Sequence, residues 1–144
     1  AVTEDSFELM RGLGKLLDGQ AKDAEAMTWY EKALAGFVES GKEVSTAKTY
    51  HNMARVYDNQ GKYTQALAFY DKSLAIKLKT LGPDHPDTAA TYNNMAVLCY
   101  NMEDYTQSLK HLELALGIYL KSFDPGHPDI SNVKSWIAGV KKEM

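Results

Sequence analysis

Cysteine appears once among the 144 residues, at Cys99, so the chain can close no internal disulfide and carries no CxxC metal motif. That usage fits a reducing compartment. Long apolar runs are missing too: none approaches the roughly 18 residues that a membrane-spanning helix takes. The opening "AVTEDSFELM" lacks the basic start and apolar stretch of a signal peptide. The first residue is Ala1 rather than Met, as in a piece cut from a longer protein. A large excess of one charge is also absent, because the formal net charge is only −3. Nothing global therefore argues for nucleic acid or an anionic membrane as partner. Strictly alternating apolar patterns, the signature of half-buried strands, do not occur. What is present, 44% apolar and 24% charged residues, is the usage of a folded domain rather than a disordered tail. The expectation is a cytoplasmic, folded, helical protein without membrane insertion.

The chain repeats itself. Shifting it by 42 residues lays 49–87 over 91–129, and 18 of the 39 aligned positions are identical. A fainter copy at a shift of 40 places "DGQAKDAEAMTWYEKAL" (18–34) on "DNQGKYTQALAFYDKSL" (58–74). After residue 129 only the first half of the unit recurs. Each unit reads as two helices. Tyr50, Met53, Ala54 and Tyr57 follow i, i+3, i+4, i+7, Gly61 marks a turn, and Ala66, Tyr70, Leu74 and Leu78 continue a second stripe. All four prolines fall between units. Short helices of this kind bury their stripes by stacking on neighbours. About seven helices are expected in one repeat domain over 1–144. Its units lie near 7–40, 46–81 and 88–123, and a terminal capping helix lies near 129–143.

Small residues recur where helix backbones must approach closely, with large ones opposite them. The sets are Met10, Leu13-Gly14, Leu17, then Ala26, Tyr30, Ala33; Tyr50, Met53-Ala54, Tyr57, then Ala66, Tyr70, Ser73; and Tyr92, Met95-Ala96, Cys99, then Ser108, Leu112, Ala115. This pattern resembles the tetratricopeptide repeat. The 42-residue period, the links "LGPDHPD" and "FDPGHPD", and the first helices "TYHNMARVY" and "TYNNMAVLCY" resemble the kinesin-light-chain type of that repeat. The resemblance covers nearly the whole chain and is strongest over 46–130. It implies an all-α fold, a right-handed α-solenoid of helix-turn-helix units. It also implies a protein–protein interaction module, an adaptor or scaffold.

The two His-Pro-Asp triplets, at 85–87 and 127–129, invite a chemical reading. Pro86 and Pro128 suit the first turn of a helix, and Asp87 and Asp129 suit the positive end of its dipole. The histidines therefore read as joints rather than metal ligands, since one imidazole per repeat gives no convergent set. No G-x-S-x-G, HExxH or phosphate-binding glycine loop occurs. Cys99 falls on a core position of its helix. The expectation is no enzyme, no metal and no cofactor.

In the resembling family the first helices line a groove that holds an extended peptide. Carried over position by position, that face comprises Arg11 and Lys15; Lys48, His51, Asn52 and Arg55; Asn93, Asn94 and Val97; and, on the last half unit, Ser135, Trp136 and Gly139. Asparagine is a mediocre helix former, so Asn52 and Asn94 at matching places ask for a reason. Their amides can hold a peptide backbone or bond between repeats and set the stacking. Arg11, Lys15, Lys48 and Arg55 would favour an acidic peptide. Ala90 and Asn94 stand where the family's chaperone-tail clamp needs Lys and Arg. Trp136 either anchors an aromatic side chain or covers the core where the array stops; Lys134, Lys141 and Lys142 give its helix the polar outer face of a cap. The rival to peptide binding is self-association, or assembly within a parent chain, through an open end or the convex face.

Overall fold

A computed structural model describes residues 4–19 and 22–144. Seven helices follow one another: α1 Glu4–Gly19, α2 Asp23–Glu39, α3 Glu43–Asn59, α4 Tyr63–Thr80, α5 Pro86–Asn101, α6 Tyr105–Ser122 and α7 Pro128–Glu143. No strand occurs among the described residues. The chain forms two compact units, residues 1–76 and 77–144, divided within α4.

In the first unit α1 packs on α2 and α2 on α3. Ala26 and Tyr30 of α2 and Met53 and Val56 of α3 form a shared core, with Leu17, Met27, Leu34 and Phe69 at its margin. The small residues of the repeat pattern are where backbones meet side chains. A Cβ on Gly14 would lie 2.6 Å from Cε1 of Tyr30, and one on Gly36 would strike the ring of Phe7. Tyr50 and Tyr57 both pack on Phe69, at 5.9 and 5.3 Å between ring centroids.

In the second unit α6 packs against both α5 and α7. Ala89 and Ala96, Leu112, Ala115 and Ile118, and Ile130, Val133 and Val140 form its core. The hydroxyl of Ser108 donates to the carbonyl of Ala96 at 2.7 Å, so the small residue also satisfies itself where the helices touch.

The joints obey local chemistry. His85 and His127 are the N-cap residues of α5 and α7. Each Nδ1 accepts the backbone N–H of the aspartate two residues on, at 3.0 and 3.1 Å. Proline follows at the first helical position, where a missing N–H costs nothing. The His127 ring also stacks on Phe123 at 3.9 Å. The triplets are therefore caps and joints. The turns between α3 and α4 and between α5 and α6 take a positive φ. Gly61 supplies it at 75°, whereas the matching place in the next unit is Glu103 at 62°, a conformation that costs a side-chain-bearing residue energy.

Candidate functional site

The face expected from sequence to hold a peptide is found on α1 and α3 in the first unit and on α5 and α7 in the second. In the first unit its charges are largely engaged. Arg11 donates through Nη2 and Nε to Oε2 of Glu8, at 2.8 and 3.3 Å. The other oxygen of Glu8 accepts from the Ser45 hydroxyl at 2.8 Å, tying α1 to α3. Burial alone would raise the pKa of Glu8. Hydrogen bonds from Arg11 and Ser45 and the charges of Arg11 and Lys48 together outweigh it, and the pKa falls below its ordinary value.

Arg55, half-exposed, reaches Oδ2 of Asp18 at 3.4 Å. The Asp18 carboxyl is buried, and its other oxygen has no partner. Burial raises its pKa, with Asp23 adding to the effect and Arg55 opposing it. Beneath this pair lies Tyr30, fully buried, whose hydroxyl also lacks a partner. Its pKa is pushed up to about 12, first by burial and then by the Asp18 charge. Asp58, forty residues after Asp18, repeats the pattern: burial raises its pKa, and the pKa of Tyr70 is raised first by burial and then by the Asp58 charge.

Asn52 is 5% exposed, and its amide nitrogen donates to nothing. An unmet buried donor is costly, on the order of 1–3 kcal/mol, unless something arrives to accept from it. His51, next to Asn52, packs edge-on to Tyr70 at 5.3 Å. Lys15 and Lys48 are exposed, which leaves these two lysines as the outward cations of the expected wall.

In the second unit Asn93, Asn94 and Val97 are half-buried on α5, and Oδ1 of Asn93 has no partner. On α7, Trp136 is half-buried and meets Tyr100 edge-on at 5.5 Å. Beside them is a cavity of about 250 Å³ lined by Tyr100, Asn132, Ser135, Trp136 and Gly139. Space around Gly139 is open, since an added Cβ would have no neighbour within 4 Å. The cavity thus combines two aromatic rings with an amide and a hydroxyl, a lining suited to one apolar or aromatic side chain with a polar edge.

Sequence reasoning brought Ser135, Trp136 and Gly139 to one place, and missed Tyr100 and Asn132. Both fall on the repeat register: Asn132 matches Lys48 and Ala90, and Tyr100 matches Asp18 and Asp58. The Glu8–Ser45 and Asp18–Arg55 links were also missed. Each joins residues 37 apart, one 40-residue period less one helical turn. That offset is the signal that would have found them.

The family model of the tetratricopeptide repeat matches residues 45–121 and 87–135. The chain belongs to the tetratricopeptide repeat family. Its repeats are similar to those of kinesin-light-chain-like structures. Among solved structures, BtubC (BKLC) from P. vanneervenii is similar with a TM-score of 0.88 and 25% identity, over 98% of this chain and 57% of that one. A putative kinesin light chain from Podospora anserina with nearly identical tetratricopeptide-like repeats has a TM-score of 0.84 and 19% identity, over 99% and 69%. The first tetratricopeptide domain of Spaghetti, bound to the HSP90 peptide SRMEEVD, has a TM-score of 0.71 and 13% identity, over 98% and 94%. This tetratricopeptide chain spans just over half the length of the BtubC structure. No curated protein matches it. Membership makes it a protein–protein interaction module, and no helix among its described residues is long and apolar enough to cross a membrane.

Proposed function

We propose that the chain is a non-catalytic, cytoplasmic adaptor that takes a short peptide segment on its first-helix faces, and that the segment carries an apolar or aromatic anchor with acidic residues nearby. The observation that carries this reading is the cavity beside Trp136. It is open to solvent, walled by two rings, and edged by Asn132 and Ser135. In the first unit two further features support it. The unmet Asn52 amide suits a peptide carbonyl, which accepts whatever the peptide's sequence. Lys15 and Lys48 suit a carboxylate. A similar fold holding the acidic peptide SRMEEVD, in Spaghetti, makes peptide capture by such helices physically reasonable.

The test is a titration of acidic peptides with one tryptophan or phenylalanine, followed by calorimetry. Binding in the micromolar range is expected, about −8 kcal/mol. Gly139→Leu, whose Cβ would have no neighbour within 4 Å, places a side chain in the cavity and should weaken binding at least tenfold. Lys15→Glu with Lys48→Glu should weaken acidic peptides and spare neutral ones. Arg55 is a poor choice for charge reversal, because a glutamate there would face buried Asp18. Equal affinity for wild type and both variants would remove this surface from consideration.

A further inference from the structure

The chain has two arginines, and the first unit holds them differently. Arg11 is closed in. Its side chain is 19% exposed, it meets Glu8 through two nitrogens at 2.8 and 3.3 Å, and Ser45 takes the other Glu8 oxygen. The Arg55 side chain is 47% exposed and makes one contact among the described residues, from Nη2 to Oδ2 of Asp18 at 3.4 Å. Guanidinium–carboxylate hydrogen bonds are usually about 2.7–2.9 Å long and often come in pairs, so this contact is loose. Asp18 is held no better. Its side chain is 2% exposed, and its Oδ1 has no partner. The hydroxyl of Tyr30, fully buried beneath it, has none either. Burial raises the Asp18 pKa, and Arg55 offsets only part of that rise. A buried carboxylate so incompletely paired costs stability. Rules broken locally in this way are expected at functional sites.

Given the peptide binding proposed above, on which this rests, we infer that Asp18 determines the specificity of the first-unit face: it occupies Arg55 in place of a ligand carboxylate, and Arg55 leaves it only for a peptide whose own carboxylate binds better. The geometry allows that exchange. A free carboxylate can meet two nitrogens of the guanidinium side by side, where Asp18 meets one. Arg55 is already half in solvent, so turning outward uncovers little of its own surface. Asp18 bears the cost, because it stays buried without its cation. A neutral segment cannot offset that cost, and an acidic one can. Asp18 thus acts against the wrong ligand rather than for the right one, which is a recognised route to selectivity.

Calorimetry with two peptides tests this, one carrying a tryptophan and two glutamates, the other its twin with glutamines in their place. Asp18→Asn keeps an acceptor of the same shape and removes the charge. It should tighten the acidic peptide about fivefold, the difference between a charged and a neutral hydrogen bond, and leave the twin unchanged. Combined with Arg55→Gln, the same change should gain nothing, because no guanidinium is left to release. A gain of equal size with and without Arg55 would be the field of a removed charge, and it overturns the inference, as does no gain at all. Wild type gives a second reading that needs no variant. Its two arginine side chains give two Nε–H resonances, and saturation with the acidic peptide should shift that of Arg55 and leave that of Arg11 in place. An unmoved Arg55 resonance also overturns the inference. If neither peptide binds any of these proteins, the peptide reading falls and the role of Asp18 with it. If the acidic peptide binds and Asp18→Asn makes no difference, only the role of Asp18 falls.

Discussion

At the scale of the residue, the structure is governed by contacts that tolerate no extra atom and by polar groups that were buried without full satisfaction. Gly14 is the sharpest case of the first. Its α-carbon faces the Tyr30 ring, and a methyl there would lie 2.6 Å from Cε1, inside van der Waals contact. Tyr30 is fully buried between neighbours and cannot swing aside cheaply. Gly14→Ala, which elsewhere in a helix would help by about 1 kcal/mol, should here cost about 1–3 kcal/mol through overpacking. A lower urea midpoint at unchanged slope would show it, and an unchanged or higher midpoint would mean that α1 can move away. This close approach was legible in the sequence, because Gly14, Ala54 and Ala96 fall at one register position. The Asp18–Arg55 pair beside it was not. Burial of a carboxylate cannot be read from a residue type whose usual place is the surface, and its partner lies 37 residues on.

At the scale of the element, each helix starts and stops for identifiable reasons, and most of them were legible. The period, the helix pairs and the role of proline followed from spacing. So did the reading of the His-Pro-Asp triplets as joints, although spacing alone did not say how the imidazole acts. It acts by accepting the Asp87 or Asp129 N–H through Nδ1. His127 does a second thing, stacking on Phe123, which itself stacks on Tyr119 at 5.5 Å. The two roles separate by substitution. His127→Ala removes cap and stack together and should cost more than the ~1 kcal/mol typical of a lost N-cap. His127→Asn keeps an acceptor at the cap and loses only the ring, so it should recover part of that loss. Thermal unfolding of the three proteins orders them wild type, Asn, Ala; an alanine variant as stable as wild type would deny the cap any energetic role. Trp136 remained open between anchor and cap at this scale, because the two roles ask the same residue type of the same position. The structure shows it packed against the core of the second unit and also walling the cavity, so the anchor belongs to the proposed function.

At the scale of the whole molecule, the carboxylates divide into two groups that respond oppositely to acid. Asp18 and Asp58 have pKa values raised by burial above the ordinary 3.8, so the folded chain takes up their protons before the unfolded chain does. Their contribution to stability is fully present below pH 3.8 and is lost as pH rises through the folded values. Glu8 behaves in the other sense. Burial opposes its ionisation, but Arg11, Ser45 and Lys48 together hold its pKa below the ordinary 4.5. Its contribution is therefore present above pH 4.5 and fades as pH falls through the folded value. Acidification therefore acts in two opposite senses: protonating Asp18 and Asp58 strengthens the fold, and protonating Glu8 weakens it. Urea midpoints should show a rise as pH falls through the folded values of the two aspartates. Asp18→Asn removes one of the two buried charges, so it should raise stability at pH 7, flatten the rise, and converge on wild type near pH 3.8 and below. A profile that falls monotonically from neutrality, in both wild type and Asp18→Asn, would show that the Arg55 contact already compensates the Asp18 carboxylate in full. Asp18 and Arg55 would then form a settled ion pair instead of leaving a buried charge without full compensation.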